Sequence, residues 1–558
     1  MKKIATQLKF AMALLLATVF IANPSKAQLT SFHKLYKTEH FTHCYDVAPT
    51  LDQGYIITGF EDRPAPFNMP LVPYLSKIDC TGEVEWVRKY GQTTGIDNTD
   101  PRVAALNNGN YIMATTVLEA DYDILVVCTE PDGEALWKNT YGGSDKDVAR
   151  GLLRLQDDHL VVVGTTESYG TDTDSPYTDM YALKINSETG DTIWTKSFGN
   201  RDGIDDLWDV TENANGDLTF IGRSFHDNGI WLSVIKTDRD GELLWTKFYG
   251  KTNHQSSGFD IIGMPDGGYA ITGMTTIAKI DFNALVDAAV IRTDEQGNVI
   301  WATTLHGTSP DLSEVGSTVL AKGDTLIVAL ETTSYPDPSP DLTKRMLYFL
   351  DAQTGTFLEA KSFNGSGGQF PMIRKDWTGY IMSGMTDEFA GSWNDPMLVK
   401  LDDDFESGCQ ETDWSLFTVG ENPVWDVVDG DYTIDAGSFV NGYAADSLGS
   451  NFVDSTICFT GTIPAMCETI TSTSESPTGQ TIQVYPNPTN NLVQIELDQV
   501  AHLPTEIHLY NVQGRNLKSA EFFSGNQFSI DLSPFPSGIY FLRVRNGNGN
   551  RMKKVRKW

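Results

Sequence analysis

Short apolar runs recur along the chain, and each is bounded by turns rich in Gly, Asp and Asn. One run occurs seven times, from GYIITG at 54–59 to GYIMSG at 379–384, at intervals of 49–58 residues. Runs of four to eight residues with such borders are typical of β-strands. No segment after residue 28 has a helical period. We therefore predict an all-β protein with an internal repeat.

A strand hairpin follows the first six copies. In SVIKTDRDGELLWTKFYG, at 233–250, two β-rich runs flank a turn at Gly241. The sixth copy aligns with Leu358 where the other hairpins have Trp. With a further apolar run before each copy, a unit contains four strands in about 54 residues, which is the signature of a β-propeller blade. The repeated tryptophans are predicted to serve blade packing: Trp86, Trp137, Trp194, Trp245 and Trp301.

The seventh unit lacks a fourth strand with Trp. The segment SFHKLYKTEH, at 31–40, aligns with that position and precedes the first unit. We predict that this N-terminal strand completes the last blade and closes a seven-bladed propeller over 28–404. Residues 405–480 are predicted to be a small β extension followed by a Ser/Thr-rich linker, because 414–435 alternates like strands and 468–479 is polar.

The first 27 residues have the organisation of a secretory signal peptide. Lys2, Lys3 and Lys9 precede thirteen apolar residues, and Ser25 and Ala27 supply small side chains before a cut. Thirteen residues are too few to cross a hydrocarbon core about 30 Å thick, which disfavours a membrane anchor. We expect signal-peptide cleavage, transit through the periplasm and no membrane-spanning segment in the mature chain.

The final segment, 481–558, differs in pattern from the repeats. It opens with YPNP, continues with the strand and turn LYNVQGR at 509–515, and reaches the strand SGIYFLRV at 537–544. It resembles the type A C-terminal sorting domain of cargo exported by the bacterial type IX secretion system. The resemblance implies a small Ig-like β-sandwich, the type IX secretion machinery as a partner, and a secreted or outer-surface destination. The residues that carry this motif are Tyr485, Pro486, Asn487, Pro488, Gly514, Gly538 and Tyr540.

The repeat units also resemble a family of bacterial propeller repeats. The best match is YGGSDKDVARGLLRLQDDHLVVVGTTE, at 141–167. This resemblance implies the propeller fold and no single function, because propellers host many roles.

Charge and cysteine content narrow the classes of function. The chain has 41 Lys+Arg against 74 Asp+Glu, a net charge of −33. This excludes a nucleic-acid binder, which needs clustered basic residues, and disfavours docking on an anionic membrane. Six cysteines are too few for a dense disulfide framework. Cys44, Cys80 and Cys128 are predicted core residues, and one disulfide is predicted among Cys409, Cys458 and Cys467, with its pairing left open.

Acidic residues recur just before the innermost strand of several units. Carboxylates that face one axis could hold Ca²⁺, which takes 6–8 oxygen ligands. Alternatively, each carboxylate accepts hydrogen bonds from backbone N–H groups at a turn, and Arg102 at the equivalent place in unit two speaks against a symmetric ring. No other cofactor is evident. The candidate metal ligands are Asp46, Asp147, Asp209 and Asp260.

Four tryptophans of the repeat region fall outside the repeat pattern, namely Trp208, Trp231, Trp377 and Trp393, and all but Trp231 are retained as candidates. Exposed aromatic faces stack on sugar rings, so these three are candidate ligand contacts, with ordinary packing as the alternative. Asp179 and Asp395 border long loops of the kind that carry binding sites, and they are further candidates. Their recurrence before the third strand also fits a structural role.

Searches for catalytic motifs are negative. The sequence has no HExxH, CxxC, GxSxG or phosphate-binding glycine loop. We favour an exported, non-enzymatic binding module for a glycan or a surface protein. A carbohydrate-active hydrolase or lyase on the same scaffold is the alternative, and a structural component of the surface layer is a third hypothesis.

Overall fold

A computed structural model gives the chain as β-strands and turns. Within its described ranges every regular element is a strand, and no helix is long and apolar enough to cross a bilayer. The predicted signal peptide, Trp393, Pro486, Asn487, Pro488 and Gly514 lie outside these ranges. The structure describes residues 31–37, 42–62, 71–90, 100–118, 121–169, 177–199, 203–226, 228–276, 286–306, 313–332, 344–363, 371–386, 395–407, 411–414, 418–419, 426–429, 433–435, 440–442, 453–460, 482–485, 489, 492–501, 505–511, 516–522, 525–536, 538–546 and 549–557.

The first strand, β1 (Ser31–Lys37), precedes seven antiparallel sheets, one for each repeat unit. The innermost strands of neighbouring sheets contact each other in cyclic order, and that of sheet seven contacts that of sheet one. The predicted seven-bladed propeller is confirmed. Blades one to three comprise β2 (Asp46–Pro49), β3 (Tyr55–Asp62), β4 (Leu71–Ile78), β5 (Val84–Lys89); β6 (Arg102–Ala105), β7 (Tyr111–Leu118), β8 (Tyr122–Thr129), β9 (Ala135–Tyr141); and β10 (Asp147–Arg154), β11 (Leu160–Thr166), β12 (Asp179–Ile185), β13 (Thr192–Gly199).

The remaining blades repeat this order from the axis outward. Blades four to seven comprise β14 (Asp206–Glu212), β15 (Leu218–His226), β16 (Gly229–Thr237), β17 (Leu243–Gly250); β18 (Ser256–Gly263), β19 (Tyr269–Thr276), β20 (Val286–Thr293), β21 (Val299–His306); β22 (Glu314–Lys322), β23 (Thr325–Thr332), β24 (Lys344–Asp351), β25 (Phe357–Phe363); and β26 (Met372–Lys375), β27 (Tyr380–Thr386), β28 (Asp395–Leu401).

The N-terminal strand supplies the fourth strand of blade seven. β1 pairs antiparallel with β28, and Phe32 lies opposite Lys400. The predicted closure is therefore confirmed. The chain closes the ring because β1, the first described strand, completes the sheet that the last repeat unit begins.

Side chains on the outer strands also donate hydrogen bonds to the next blade. The indole N–H of Trp86 donates to the carbonyl of Pro131 (3.0 Å), and the hydroxyl of Tyr90 donates to that of Gly133 (2.6 Å). Gly133 has a φ of 84°, and a side chain there would meet the Trp86 ring. A glycine is therefore required both by the turn and by the packing. Trp137 and Trp301 donate to the following blade in the same way.

β1 makes similar contacts across the boundary between blades seven and one, which we call the seam. Phe32 takes the Trp position beside Gly82, and the Tyr36 hydroxyl donates to the Gly82 carbonyl (2.9 Å). Lys34 forms an ion pair with Glu83 (2.5 Å). The seam therefore uses the same contacts as the other blade boundaries.

Blade six departs from the repeat, and the structure corrects the alignment there. Glu359, not Leu358, lies opposite Phe349, the position that Trp occupies in other blades. The missing ring comes from blade seven, where Phe405 replaces the turn glycine with a φ of 58°. Phe405 is 2% exposed and stacks on Tyr380 at 4.1 Å between ring centroids. One blade boundary thus exchanges its Trp–Gly pair for a Glu–Phe pair.

The segment predicted as a β extension runs around the outside of the propeller. Its described strands each add a fifth strand to one blade, in the order six, five, four, three, two and seven. We call these six strands the belt: β29 (Glu411–Trp414), β30 (Thr418–Val419), β31 (Asp426–Asp429), β32 (Thr433–Asp435), β33 (Val440–Gly442) and β34 (Val453–Thr460). Because open sheet edges invite pairing with other chains, the belt protects six blade edges.

Cys80 is buried, as predicted, but it also forms a disulfide that was not predicted from the sequence. Cys80, in the β4–β5 turn of blade one, is disulfide-bonded, whereas Cys44 and Cys128 are free and buried as predicted. The chain has six cysteines, so the partner of Cys80 is Cys409, Cys458 or Cys467. All three belong to segment 405–480, so the disulfide ties this segment to blade one.

The C-terminal segment forms a two-sheet β-sandwich, as predicted. One sheet has the order β35-β36-β39 and the other β38-β37-β40-β41. Val493, Ile507 and Leu542 are among the residues of its own hydrophobic core. Its strands are β35 (Ile482–Tyr485), β36 (Leu492–Ala501), β37 (Thr505–Asn511), β38 (Asn516–Phe522), β39 (Gly525–Asp531), β40 (Gly538–Asn546) and β41 (Gly549–Lys557).

Candidate functional site

The innermost strands of blades three to six contain a β-bulge at the same position. In each, the pairing register shifts by one residue just after the strand begins. A bulge leaves one residue unpaired and redirects its side chain, and bulges are common beside active sites. The bulged residues differ in chemistry although the backbone repeats: Arg150, Trp208, Phe259 and Ser317.

Three of these side chains form a stack around the channel. The Arg150 guanidinium lies 4.3 Å from the Trp208 ring centroid, and the Trp208 and Phe259 rings meet edge to face at 4.9 Å. Cation–π and edge-to-face contacts hold such groups in fixed orientations. With Asp100 and Arg102, Trp208 and Phe259 line a pocket of ≈430 Å³, including the part open to solvent. We call this pocket the mouth of the channel.

Arg374 lines the same pocket and lies close to three acidic side chains. Its Nη2 is 3.4 Å from Asp46 Oδ1. Burial lowers the pKa of Arg374, but the carboxylates of Asp46, Asp260 and Asp209 outweigh burial and raise it. One guanidinium therefore interacts with three acidic side chains that come from blades one, four and five.

The same carboxylates tie neighbouring blades together. The backbone N–H of Val103 donates to Asp46 (3.1 Å), and that of Val319 donates to Asp260 (2.6 Å). Asp209 and Asp260 share a hydrogen bond, and burial followed by the Asp260 charge raises the pKa of Asp209 well above its usual value. Two acids in hydrogen-bond contact are closer than the pairs of glycosidases, which are about 5–9.5 Å apart. The pair is therefore unsuited to glycoside hydrolysis.

The four predicted metal ligands do not converge. Asp46, Asp209 and Asp260 surround Arg374, so a side-chain cation takes the central place. Asp147 lies elsewhere and accepts hydrogen bonds from the Gly143 N–H and the Ser168 hydroxyl, each at 2.8 Å. Among the residues that the structure describes, no group of three His, Cys, Asp or Glu side chains could hold a metal ion.

Asp147 gives a pH-dependent prediction. Burial raises its pKa from 3.8 to about 6, so its contribution to stability is largest below about pH 4 and is lost as the pH rises to about 6. The free energy of unfolding of Asp147→Asn, relative to that of wild type, should therefore be about 2–3 kcal/mol higher at pH 7 than at pH 4. Urea unfolding at both pH values measures this. Asp145→Asn, in the same loop but exposed, is the control, and an equal pH trend in both variants would contradict the prediction.

The structure separates the predicted ligand residues. Trp208 lies at the mouth, whereas Trp377 lies in the β26–β27 turn at the opposite end of the blades and donates its indole N–H to the Thr50 carbonyl (3.0 Å). Asp179 and Asp395 are buried, at 5% and 1% exposure. The Asp179 carboxylate packs against Gly199, at the end of the next strand of its own blade. Trp393 is outside the described residues.

Sequence reasoning missed Arg150, Phe259 and Arg374. The sequence could have revealed Arg374, because the matching positions of other units carry uncharged residues such as Ala48 and Thr211. Arg150 and Phe259 had no such signal, because a bulge is defined by backbone pairing that the short apolar runs do not encode.

The sorting-motif residues that the structure describes have structural contacts. Tyr485 is 42% exposed and donates to Glu496 (2.9 Å). Tyr540 is buried and donates to the Pro536 carbonyl (2.5 Å), and Gly538 begins β40. The buried Tyr540 therefore belongs to the sandwich core, whereas Tyr485 faces solvent.

Comparison with known proteins identifies the C-terminal segment. Residues 483–557 match the family described as secretion system C-terminal sorting domain. This confirms the type IX sorting domain predicted from the sequence, and it indicates secretion or attachment at the outer surface. No curated protein sequence matches the chain.

The chain is also similar to several solved structures. One is a protein of unknown function from Dyadobacter fermentans DSM 18053, at 11% identity over 60% of this chain and 98% of that chain, with a TM-score of 0.33. Another is quinohemoprotein alcohol dehydrogenase from Comamonas testosteroni, at 12% identity over 61% and 66%, with a TM-score of 0.33. A third is Penicillium chrysogenum α-L-arabinanase complexed with arabinobiose, at 11% identity over 68% and 99%, with a TM-score of 0.36. Likenesses of this size do not indicate function.

Proposed function

We propose that this exported propeller is a non-enzymatic binding protein that holds the end of a glycan at the mouth of its channel. The observation that carries the proposal is the set of bulged residues. The fold fixes where the bulges occur, yet the side chains there differ from blade to blade. Variation at a fixed, inward-facing position is what a binding site on a repeat scaffold requires.

The chemistry of the mouth suits a sugar. Trp208 and Phe259 offer apolar ring surface at the mouth, and sugar rings pack on such surfaces. Asp100 and Arg102 line the same pocket and provide hydrogen-bond acceptors and donors for hydroxyl groups.

Binding is favoured over hydrolysis by the state of the acids. Asp209 and Asp260 are hydrogen-bonded to each other, and Asp46 faces Arg374. A general acid and base need independent access to the scissile bond and to water. These acids are instead engaged with each other, with Arg374 and with the backbone of the next blade.

The test uses the full chain with a panel of polysaccharides, and retained protein and released reducing ends are recorded from the same wells. We expect retention without release. Loss of the Trp208 ring should weaken retention up to about ten-fold, because one aromatic contact contributes about 0.5–1.5 kcal/mol. Trp208→Ala is therefore compared with Trp377→Ala, which removes an exposed indole at the opposite end of the blades.

Three outcomes would count against the proposal. Released reducing ends would show a hydrolase or lyase. Equal losses in the two variants would place the ligand away from the mouth. Retention on no polysaccharide would overturn the glycan assignment and favour a surface protein as ligand.

A further inference from the structure

The N-terminal strand is held between two segments that are distant in sequence. β28 pairs with one edge of β1, and the belt strand β34 pairs with the other, with Tyr36 opposite Asp454. β1 is therefore an inner strand of blade seven, and this sheet is complete only when the chain as far as residue 460 is present. Each of the other belt strands pairs with a blade whose four strands follow one another directly in the sequence.

Segment 405–480 is also joined to the other side of the seam. Blade one is the sheet with four strands in the described part of the chain. Cys80 of that blade is disulfide-bonded to a cysteine of segment 405–480. This segment is thus joined to blade seven by strand pairing and to blade one by a covalent bond.

The seam between these two blades carries polar contacts that depend on its closure. The Tyr55 hydroxyl of blade one donates to Asp376 of blade seven (2.8 Å). Trp377 donates to Thr50, and Arg374 faces Asp46 across the same boundary. Opening the seam would separate all three pairs.

We propose that the belt is a clasp for the ring: β34 and the Cys80 disulfide hold the N-terminal strand in blade seven, and release of the clasp opens the seam between blades seven and one before the other blade boundaries. The clasp acts on β1 because no short turn joins β1 to the third strand of its blade, β28. In the other six blades a short turn joins the third and fourth strands. Apart from its side-chain contacts with blade one, the position of β1 depends on strand pairing, so removing one of its two neighbours removes about half of its inter-strand hydrogen bonds.

Hydrogen exchange of the backbone amides tests the clasp. Successive N–H groups of a strand point to opposite sides. The double variant Ser455→Pro/Thr456→Pro therefore removes at least one N–H donor to β1 or places a proline ring against the edge of β1. We expect the amides of 31–37 to exchange at least about ten-fold faster in this variant. Val427→Pro/Val428→Pro, at the matching position of the belt on blade four, should leave the β1 amides unchanged.

The disulfide provides a second test that needs no strand variant. A dithiol such as dithiothreitol gives two electrons and two protons to the disulfide, which becomes the Cys80 thiol and its partner thiol while the reductant becomes a cyclic disulfide. Exchange of the β1 amides should accelerate in reduced wild type and return on reoxidation. In Cys80→Ser it should be fast from the start and insensitive to the reductant.

The outcomes are separable. Unchanged β1 exchange in both the proline variant at 455–456 and the reduced protein would overturn the clasp. Equal acceleration in both proline variants would show general loosening of the propeller and would also overturn it. If the variant at 455–456 does not fold, the reduction experiment decides alone. None of these readouts involves ligand binding, so they do not depend on the proposed glycan site.

Discussion

Replacement of Arg374 by methionine should lower the free energy of unfolding by about 3 kcal/mol near neutral pH. Methionine keeps most of the side-chain volume but leaves Asp46, Asp209 and Asp260 facing one another without a cation. Breaking a buried ion pair from one side costs about 3–5 kcal/mol. The lower figure applies here because the Arg374 side chain is 36% exposed.

The sign of the pH dependence follows from the same carboxylates. Burial and the neighbouring Asp260 charge raise the pKa of Asp209 well above its usual value, whereas the Arg374 guanidinium lowers it. Without the guanidinium this pKa rises further, so the loss in Arg374→Met should be smaller at acid pH and grow as the pH rises. Urea unfolding from acid to neutral pH measures the effect. Lys375→Met, which removes an adjacent exposed charge, is the control. A variant as stable as wild type at every pH would show that Arg374 does not act as the internal counter-ion.

Truncation of Phe405 to alanine should cost about 3–4 kcal/mol, in the usual range for a buried phenylalanine. Phe405 is 2% exposed and contacts Tyr380 and Phe349, at 4.1 Å and 5.2 Å between ring centroids. Its left-handed backbone conformation costs roughly 1 kcal/mol or more, so the buried ring must more than offset this strain. Thermal and urea unfolding of the full chain measure the loss.

A double-mutant cycle tests whether Glu359 and Phe405 truly replace the Trp–Gly pair of the other blades. Phe405→Gly should relieve the backbone strain but leave a cavity, and Glu359→Trp should meet the Phe405 ring. The combination restores the pair found at the other boundaries, so it should be more stable than the sum of the single variants predicts by about 1–3 kcal/mol. Strict additivity would mean that the two positions do not share one packing site.

Much of the architecture was predictable because it is encoded locally. The apolar runs and the glycine turns fix strands and hairpins over stretches of fewer than twenty residues. Their recurrence gave the number of blades, and the missing seventh hairpin gave the role of β1. The sorting domain was predictable for a related reason, since YPNP and SGIYFLRV are contiguous motifs.

The candidate site was less predictable. The carboxylate positions were noticed, but Asp147 lies three residue pairs along its strand from the layer that Asp46, Asp209 and Asp260 share. The sequence offers Trp208 and Trp377 as candidate ligand contacts, yet they lie at opposite ends of the blades. Both errors concern which end or layer a side chain reaches, and a short strand with few apolar positions does not encode this.

The sequence by itself therefore determined the strands, the repeat, the closure of the ring and the C-terminal sorting domain of this protein, because each depends on neighbouring residues. Only the tertiary structure decided that Arg374 meets Asp46, that the belt covers six blade edges, and that Cys80 is joined to segment 405–480. These contacts unite residues separated by hundreds of positions. They exist because closure of the ring brings the first and last blades together, and no local pattern records that geometry.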